Sequence, residues 1–158
     1  MTATPPLHPD LAPLAFLLGT WTGHGTADYP TTGPTGYGET VVVTHAGKPV
    51  LLYEQRTTRD DDGAPLHGER GYWRLPASGQ VEFLVAHPTG HVEVEYGTVA
   101  GTTIDLASST VVGTTSAKAV EAITRRIEVD GDVMRYTLSM AAVGQPMAAH
   151  LQAELRRT

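Results

Sequence analysis

The sequence contains no cysteine, which excludes disulfides, thiolate metal sites, iron–sulfur clusters and covalently attached c-type haem together. It has no run of about eighteen apolar residues, so no helical membrane span is expected. Cations are scarce: eleven Lys plus Arg stand against seventeen acids, a formal charge of −6, and the only lysines are Lys48 and Lys118. That balance argues against nucleic-acid binding, whose affinity comes from clustered cations on phosphate. The segment Met1 to Asp10 holds three prolines and no apolar stretch, so it does not read as a secretory leader. Charged residues make up only 18% of the chain, while 41% is apolar, a composition that buries a core and does not stay disordered. The expectation is a single domain over residues 1–158 in a cytoplasmic protein.

Helical periodicity is nearly absent. One short helix is expected from Asp10 to Leu18, with Asp10 as N-cap, Pro13 in the first turn and Gly19 able to end it. The remainder reads as strands cut by turns: Trp21 to Asp28, Tyr37 to Ala46, Val50 to Thr58, Leu66 to Leu75 and Val81 to His87, then His91 to Val99, Thr103 to Val112, Lys118 to Val129, Val133 to Val143 and Met147 to Arg157. Asp130-Gly131 is the strongest hairpin signal. Evenly spaced strands of this kind suit an antiparallel meander, and a flat sheet of about ten would leave two long edges that closure removes. The fold class expected is therefore all-β, an up-and-down antiparallel β-barrel of roughly ten strands, calycin or fatty-acid-binding-protein-like, with a short N-terminal helix. A two-sheet sandwich is the competing arrangement. A barrel of this strand number is wider than its own side chains readily fill, so a ligand cavity is expected.

At the entry to the first strand stands a GxWxGxG motif, Gly19, Trp21, Gly23 and Gly25. A Gly-x-Trp there is shared with lipocalins and fatty-acid-binding barrels, in which the Trp plugs one end; by itself it reads as a packing Trp beside turn glycines. Further stretches carry a more specific likeness: Tyr29-Pro30-Thr31, Tyr37-Gly38-Glu39, His45-Ala46-Gly47-Lys48-Pro49, Pro65 to Tyr72, Ala86-His87-Pro88, Ala117-Lys118-Ala119-Val120, Asp130-Gly131-Asp132 and, above all, Met140-Ala141-Ala142-Val143-Gly144-Gln145-Pro146-Met147-Ala148-Ala149-His150-Leu151. Taken in order along almost the whole chain, these resemble the nitrobindin family of haem-binding β-barrels. Thr40 departs from the pattern, standing where many relatives carry a second acid after Glu39.

The resemblance implies a barrel that holds one non-covalent haem b per chain in a wide cleft, ligated by one histidine of the last strand. It implies that the ferric protein isomerises peroxynitrite to nitrate and that the reduced form binds nitric oxide. His150 is then the candidate axial ligand to iron and the candidate catalytic residue, and a neutral imidazole suits that role. Lys118 and Thr31 map to family haem contacts, an ammonium and a hydroxyl for the propionates. Read from composition alone, Lys118 serves equally as an exposed lysine at a strand start, and Thr31 as a turn threonine. Alternation along the last strand raises an objection to His150: Met147, Ala149, Leu151, Ala153 and Leu155 share one face, which sends His150 outward unless a bulge re-aims it.

His67 and His87, on neighbouring expected strands, are candidates for the distal side of the pocket, with a rim position as the plainer reading. Met140 is a candidate for lumen packing near His150. His87 and His91 flank a Pro-Thr-Gly turn, which does not converge two imidazoles as a helix face would, and Asp60-Asp61-Asp62-Gly63 lacks the alternating ligands of a calcium loop. Two other functions compete with the isomerase: a lipocalin-like carrier of a small apolar molecule, and a haem-based nitric-oxide sensor or carrier without turnover. The expected partners are small molecules, with neither nucleic acid nor membrane among them, and a homodimer is compatible with the sequence.

Overall fold

The computed structural model describes residues 4–158; Met1 to Ala3, where the leader reading begins, lie outside the described residues. The strands are β1 (Gly19–Ala27), β2 (Thr35–His45), β3 (Leu51–Arg59), β4 (Pro65–Ala77), β5 (Gln80–Ala86), β6 (His91–Ala100), β7 (Thr103–Gly113), β8 (Val120–Asp130), β9 (Val133–Ala142) and β10 (Ala148–Arg157). All ten expected strands are present, with ends that differ from the sequence reading by no more than two residues. Each pairs antiparallel with its chain neighbour, and β1 pairs with β10, Trp21 opposite Arg157 and Ala27 opposite Leu151, so the sheet is a closed barrel rather than a sandwich. No helix among the described residues is long and apolar enough to cross a membrane.

The expected helix is a 3₁₀ helix, Pro9–Leu17, and its N-cap is His8, whose ring accepts from the Asp10 amide. Asp10 therefore sits inside the first turn and does not cap it; the prolines at 9 and 13 remove donors that the looser helix would have used. This helix closes one end of the barrel. Leu11, Leu14 and Leu17 are fully buried against Trp21, Val41, Leu51, Trp73, Phe83 and Leu155. Trp21 donates its indole N–H to Leu17 O at 2.9 Å, and the Arg157 guanidinium lies 4.1 Å over the Trp21 ring while donating to the carbonyls of Phe16 and Leu18 at the helix end.

The glycines of the entry motif have separate reasons. Gly19 has a φ of +123°, which a side chain rarely adopts. A Cβ at Gly23 would meet the Glu154 carbonyl of β10, and one at Gly25 would meet the Tyr37 ring.

The lumen is stratified along the barrel axis by the inward residue of each successive pair. At the closed end it is apolar and filled, with Trp73 and Phe83 stacked at 4.0 Å. The middle layer is polar, built from Glu39, Gln55, Tyr53, Glu69, Glu93, Glu95, Arg125 and Tyr136. Beyond it the barrel opens into a cavity of ≈ 700 Å³, within the range of small-molecule and cofactor sites.

Candidate functional site

His150 lines this cavity. The register between β10 and β9 slips between Ala149 and Leu151, with no partner for His150; the bulge adds one residue and turns the imidazole to the same side as Leu151. Below the bulge Leu151, Ala153 and Leu155 face in as alternation requires, and above it the parity reverses, leaving Ala149 and Met147 exposed. The objection that alternation raised is met by this one inserted position.

Two contacts then fix the ring. Nδ1 donates to the Asp28 carbonyl at 2.9 Å, while the Asp28 amide donates to the His150 carbonyl at 2.8 Å. With its proton on Nδ1, the ring presents Nε2 as a bare donor nitrogen. Tyr29 packs edge-on against the imidazole at 5.3 Å, and its own hydroxyl is held by the β9 backbone, accepting from the Ala142 amide at 2.8 Å and donating to the Ala142 carbonyl at 3.1 Å. Tyr29 is a site residue that sequence reasoning misses, because its role depends on a contact across 113 residues of chain, which no local pattern reveals.

Thr31, Lys118 and Met140 also line the cavity. Lys118 lies in the loop before β8 rather than on the strand, because β8 begins at Val120. That loop is anchored by His91, whose Nε2 donates to the Lys118 carbonyl at 2.6 Å and whose Nδ1 accepts from the Thr89 hydroxyl at 3.0 Å. His91 is thus buried structure at the mouth, its two ring nitrogens engaged by Thr89 and Lys118. Met140 pairs with Ala148 on the strand that carries His150 and packs the lumen wall.

His67 and His87 face the cavity from β4 and from the end of β5, four and five places round the ring from β10. They therefore stand on the wall opposite His150. The His87 side chain is 8% exposed and that of His67 29%, and His67 Nε2 lies 3.1 Å from His87 Nδ1. Burial lowers the His67 pKa, so this imidazole is neutral at physiological pH.

Beneath them lies the polar layer. Arg125 donates to Glu95 at 2.7 Å, to Glu93 at 3.2 Å and to Glu69 at 3.4 Å, and Tyr53 donates to Glu69 at 3.1 Å. Burial raises the Glu95 pKa against the pull of Arg125. Glu93 is held low in spite of its burial by His87 and Arg125. Glu39, receiving hydrogen bonds from Tyr136 at 2.7 Å and Gln55 at 3.1 Å, is raised by burial to about 7. Sequence reading missed this layer, although inward Glu at alternate positions of β6 (Glu93, Glu95) within an otherwise apolar strand pattern was a visible sign.

A family model described as a THAP4-like, heme-binding beta-barrel domain matches residues 10–157. The chain is 50% identical to a protein named peroxynitrite isomerase 1 from Mycolicibacterium paratuberculosis, over 96% of each chain. It is 45% identical to a peroxynitrite isomerase from Nocardia farcinica, over 96% of this chain and 92% of that one. The crystal structure of Rv2717c from M. tuberculosis superposes with a TM-score of 0.91 at 45% identity, covering 97% of this chain and 99% of that one.

Proposed function

We propose, from the premise that this chain belongs to the THAP4-like, heme-binding beta-barrel family, that its cavity takes one non-covalent haem b and that the protein isomerises peroxynitrite to nitrate, the activity named for its relatives. The observation that carries this reading is the bulged His150, aimed into the cavity with Nδ1 committed to Asp28 and Nε2 free.

The residues present fit the group. The cavity is large enough, and its upper wall is apolar, with Ile123, Leu138, Met140 and Leu151 among its lining. Without cysteine, covalent attachment through thioethers is excluded. His150 would hold the iron, and Lys118 and Thr31, at the polar mouth, would hold the propionates. Ferric haem supplies an electron-poor iron with one position left for a small anion such as peroxynitrite, and in its reduced form it takes nitric oxide.

The chain's own groups do the rest. Tyr29 and Asp28 keep His150 in one tautomer and one orientation. His91 fixes the backbone that carries Lys118. His67, on the opposite wall, presents a neutral imidazole that can donate a hydrogen bond to an anion in the cavity. The isomerisation needs no net electron or proton, so these groups act by orientation and by restricting escape rather than by supplying equivalents. A carrier of a purely apolar molecule fits less well, because the cavity floor carries Glu69, Glu93 and Arg125.

Hemin titration followed at the Soret band tests the cofactor, and peroxynitrite decay with and without haem tests the activity. The expected results are a sharp one-to-one endpoint that is lost in His150→Ala, and a decay that is faster only with haem bound. Equal decay rates in the presence and absence of haem would overturn the isomerase reading.

A further inference from the structure

We propose that His67, Glu69 and His87 form a second metal site, distinct from the His150 position, for a divalent transition ion of the Zn²⁺ or Fe²⁺ class. This inference does not rest on the haem reading.

The argument is geometric. His67 Nε2 and His87 Nδ1 are 3.1 Å apart, His87 Nδ1 and Glu69 Oε1 3.7 Å, and His67 Nε2 and Glu69 Oε1 4.0 Å. Adjacent ligand atoms in a tetrahedral zinc site are separated by roughly 3.3 Å, given bonds of about 2.0–2.1 Å. A triangle with the observed sides has a centre about 2.1 Å from all three atoms, so an ion at bonding distance there lies in the donor plane, and the Glu69 carboxylate closes in by roughly half an ångström to give a tetrahedral or facial site. Nothing need move far for the ion to enter. Two imidazoles and one carboxylate are the donor set of facial-triad iron and of three-ligand zinc sites, both of which keep positions open.

The surroundings are those of a built site. His87 Nε2 has Glu93 Oε1 at 2.8 Å, without the alignment of a hydrogen bond. A carboxylate behind the non-ligating nitrogen is the usual support of a metal-binding histidine. Glu69 accepts from Tyr53 through Oε2 at 3.1 Å and from Arg125 through both oxygens at 3.4–3.5 Å, and Oε1 is the oxygen that faces the histidines. Glu69, Glu93 and Glu95 share the single guanidinium of Arg125 beneath the site. All three ligands border the cavity, so the open coordination positions of the ion face the space opposite His150, where a small anion could take one.

Equilibrium dialysis of the full chain against Zn²⁺, with metal content read by atomic emission, tests the site; Co²⁺ absorption reports its geometry. The expected result is one equivalent of Zn²⁺ per chain, held at least tenfold more weakly by His67→Ala and by Glu69→Gln and unchanged in His150→Ala. His67 is partly exposed, so its variant folds even if Glu69→Gln does not, and circular dichroism checks both. Retention that is equal in wild type and His67→Ala, or that is lost in His150→Ala instead, would overturn the proposal. Hemin titration of the same variants reads the haem proposal separately, since that depends on His150 and not on His67.

Discussion

Replacing Glu39 by Gln should make the protein more stable above neutral pH and leave it unchanged in acid. Glu39 is 5% exposed and its pKa is raised from 4.5 to about 7, chiefly by burial. In the unfolded chain the carboxyl releases its proton near its ordinary value. Between the two values the folded state binds the extra proton, so raising the pH favours unfolding. Carried through that interval, the difference amounts to about 3 kcal/mol lost on going from acid to pH above 7. Glutamine keeps the shape without the charge. Its carbonyl accepts from Gln55 Nε2, as Glu39 Oε1 does now. Its NH₂ donates to the Tyr136 hydroxyl, which turns its own proton to Tyr37, already 2.8 Å away. No hydrogen bond is lost in that exchange, so the charge alone is tested. Urea unfolding of both proteins from about pH 5 to about pH 9 should show curves that meet in acid and diverge by roughly 2–3 kcal/mol at the alkaline end, with Glu39→Gln above. Glu95 titrates in both proteins and cancels in the difference. Parallel curves would show that the folded carboxyl is not raised, and a variant less stable at high pH would show that the rewiring fails.

Arg125→Met should cost about 3–5 kcal/mol in urea unfolding, because it leaves Glu69, Glu93 and Glu95 buried without their shared cation; the loss should shrink in acid, where the carboxyls protonate. Tyr29→Phe should cost about 1–3 kcal/mol by orphaning the buried Ala142 amide, and should weaken hemin binding while leaving the edge contact to His150 in place. Val143, at φ +48° in the turn between β9 and β10, is in a region that β-branched residues avoid; Val143→Asn should raise stability by about 1 kcal/mol in thermal or urea unfolding. No gain there would mean that the turn has no strain to release.

The fold was legible because its signals are local. Turn residues at even spacing set strand number and order, and with one strand per turn the only global choice was closure, made by edge avoidance. The helix was less legible: a Pro-rich nine-residue segment carries too few donors to commit to α, and its cap, His8, lies two residues before the segment with helical periodicity. The site was legible only where a motif named the residue. His150 followed from the family likeness, whereas the pairing of His67 with His87 needs β4 and β5 brought side by side, and the Arg125 contacts span 30 or more residues.

The bulge shows why alternation alone misjudged His150. A period-2 pattern assumes that register is constant along a strand, and Leu151 to Leu155 satisfy it. Read backward from Leu155, the same pattern places Ala149 inside and His150 outside; the exposed Met147 and Ala149 are what the chain does instead. The sequence carries a cue to the slip: a histidine between two apolar residues, Ala149-His150-Leu151, where inward and outward assignments compete. Pairing resolves the competition: Ala27 pairs with Leu151, and Asp28, just past the end of β1, bonds both the backbone and the ring of the inserted His150. A strand without that extra position would keep an unbroken ladder and turn the His150 imidazole away from the cavity. The irregularity is thus where the barrel gives up one ladder pair to place a donor nitrogen, and it lies at the open end, where the wall is not needed for the core.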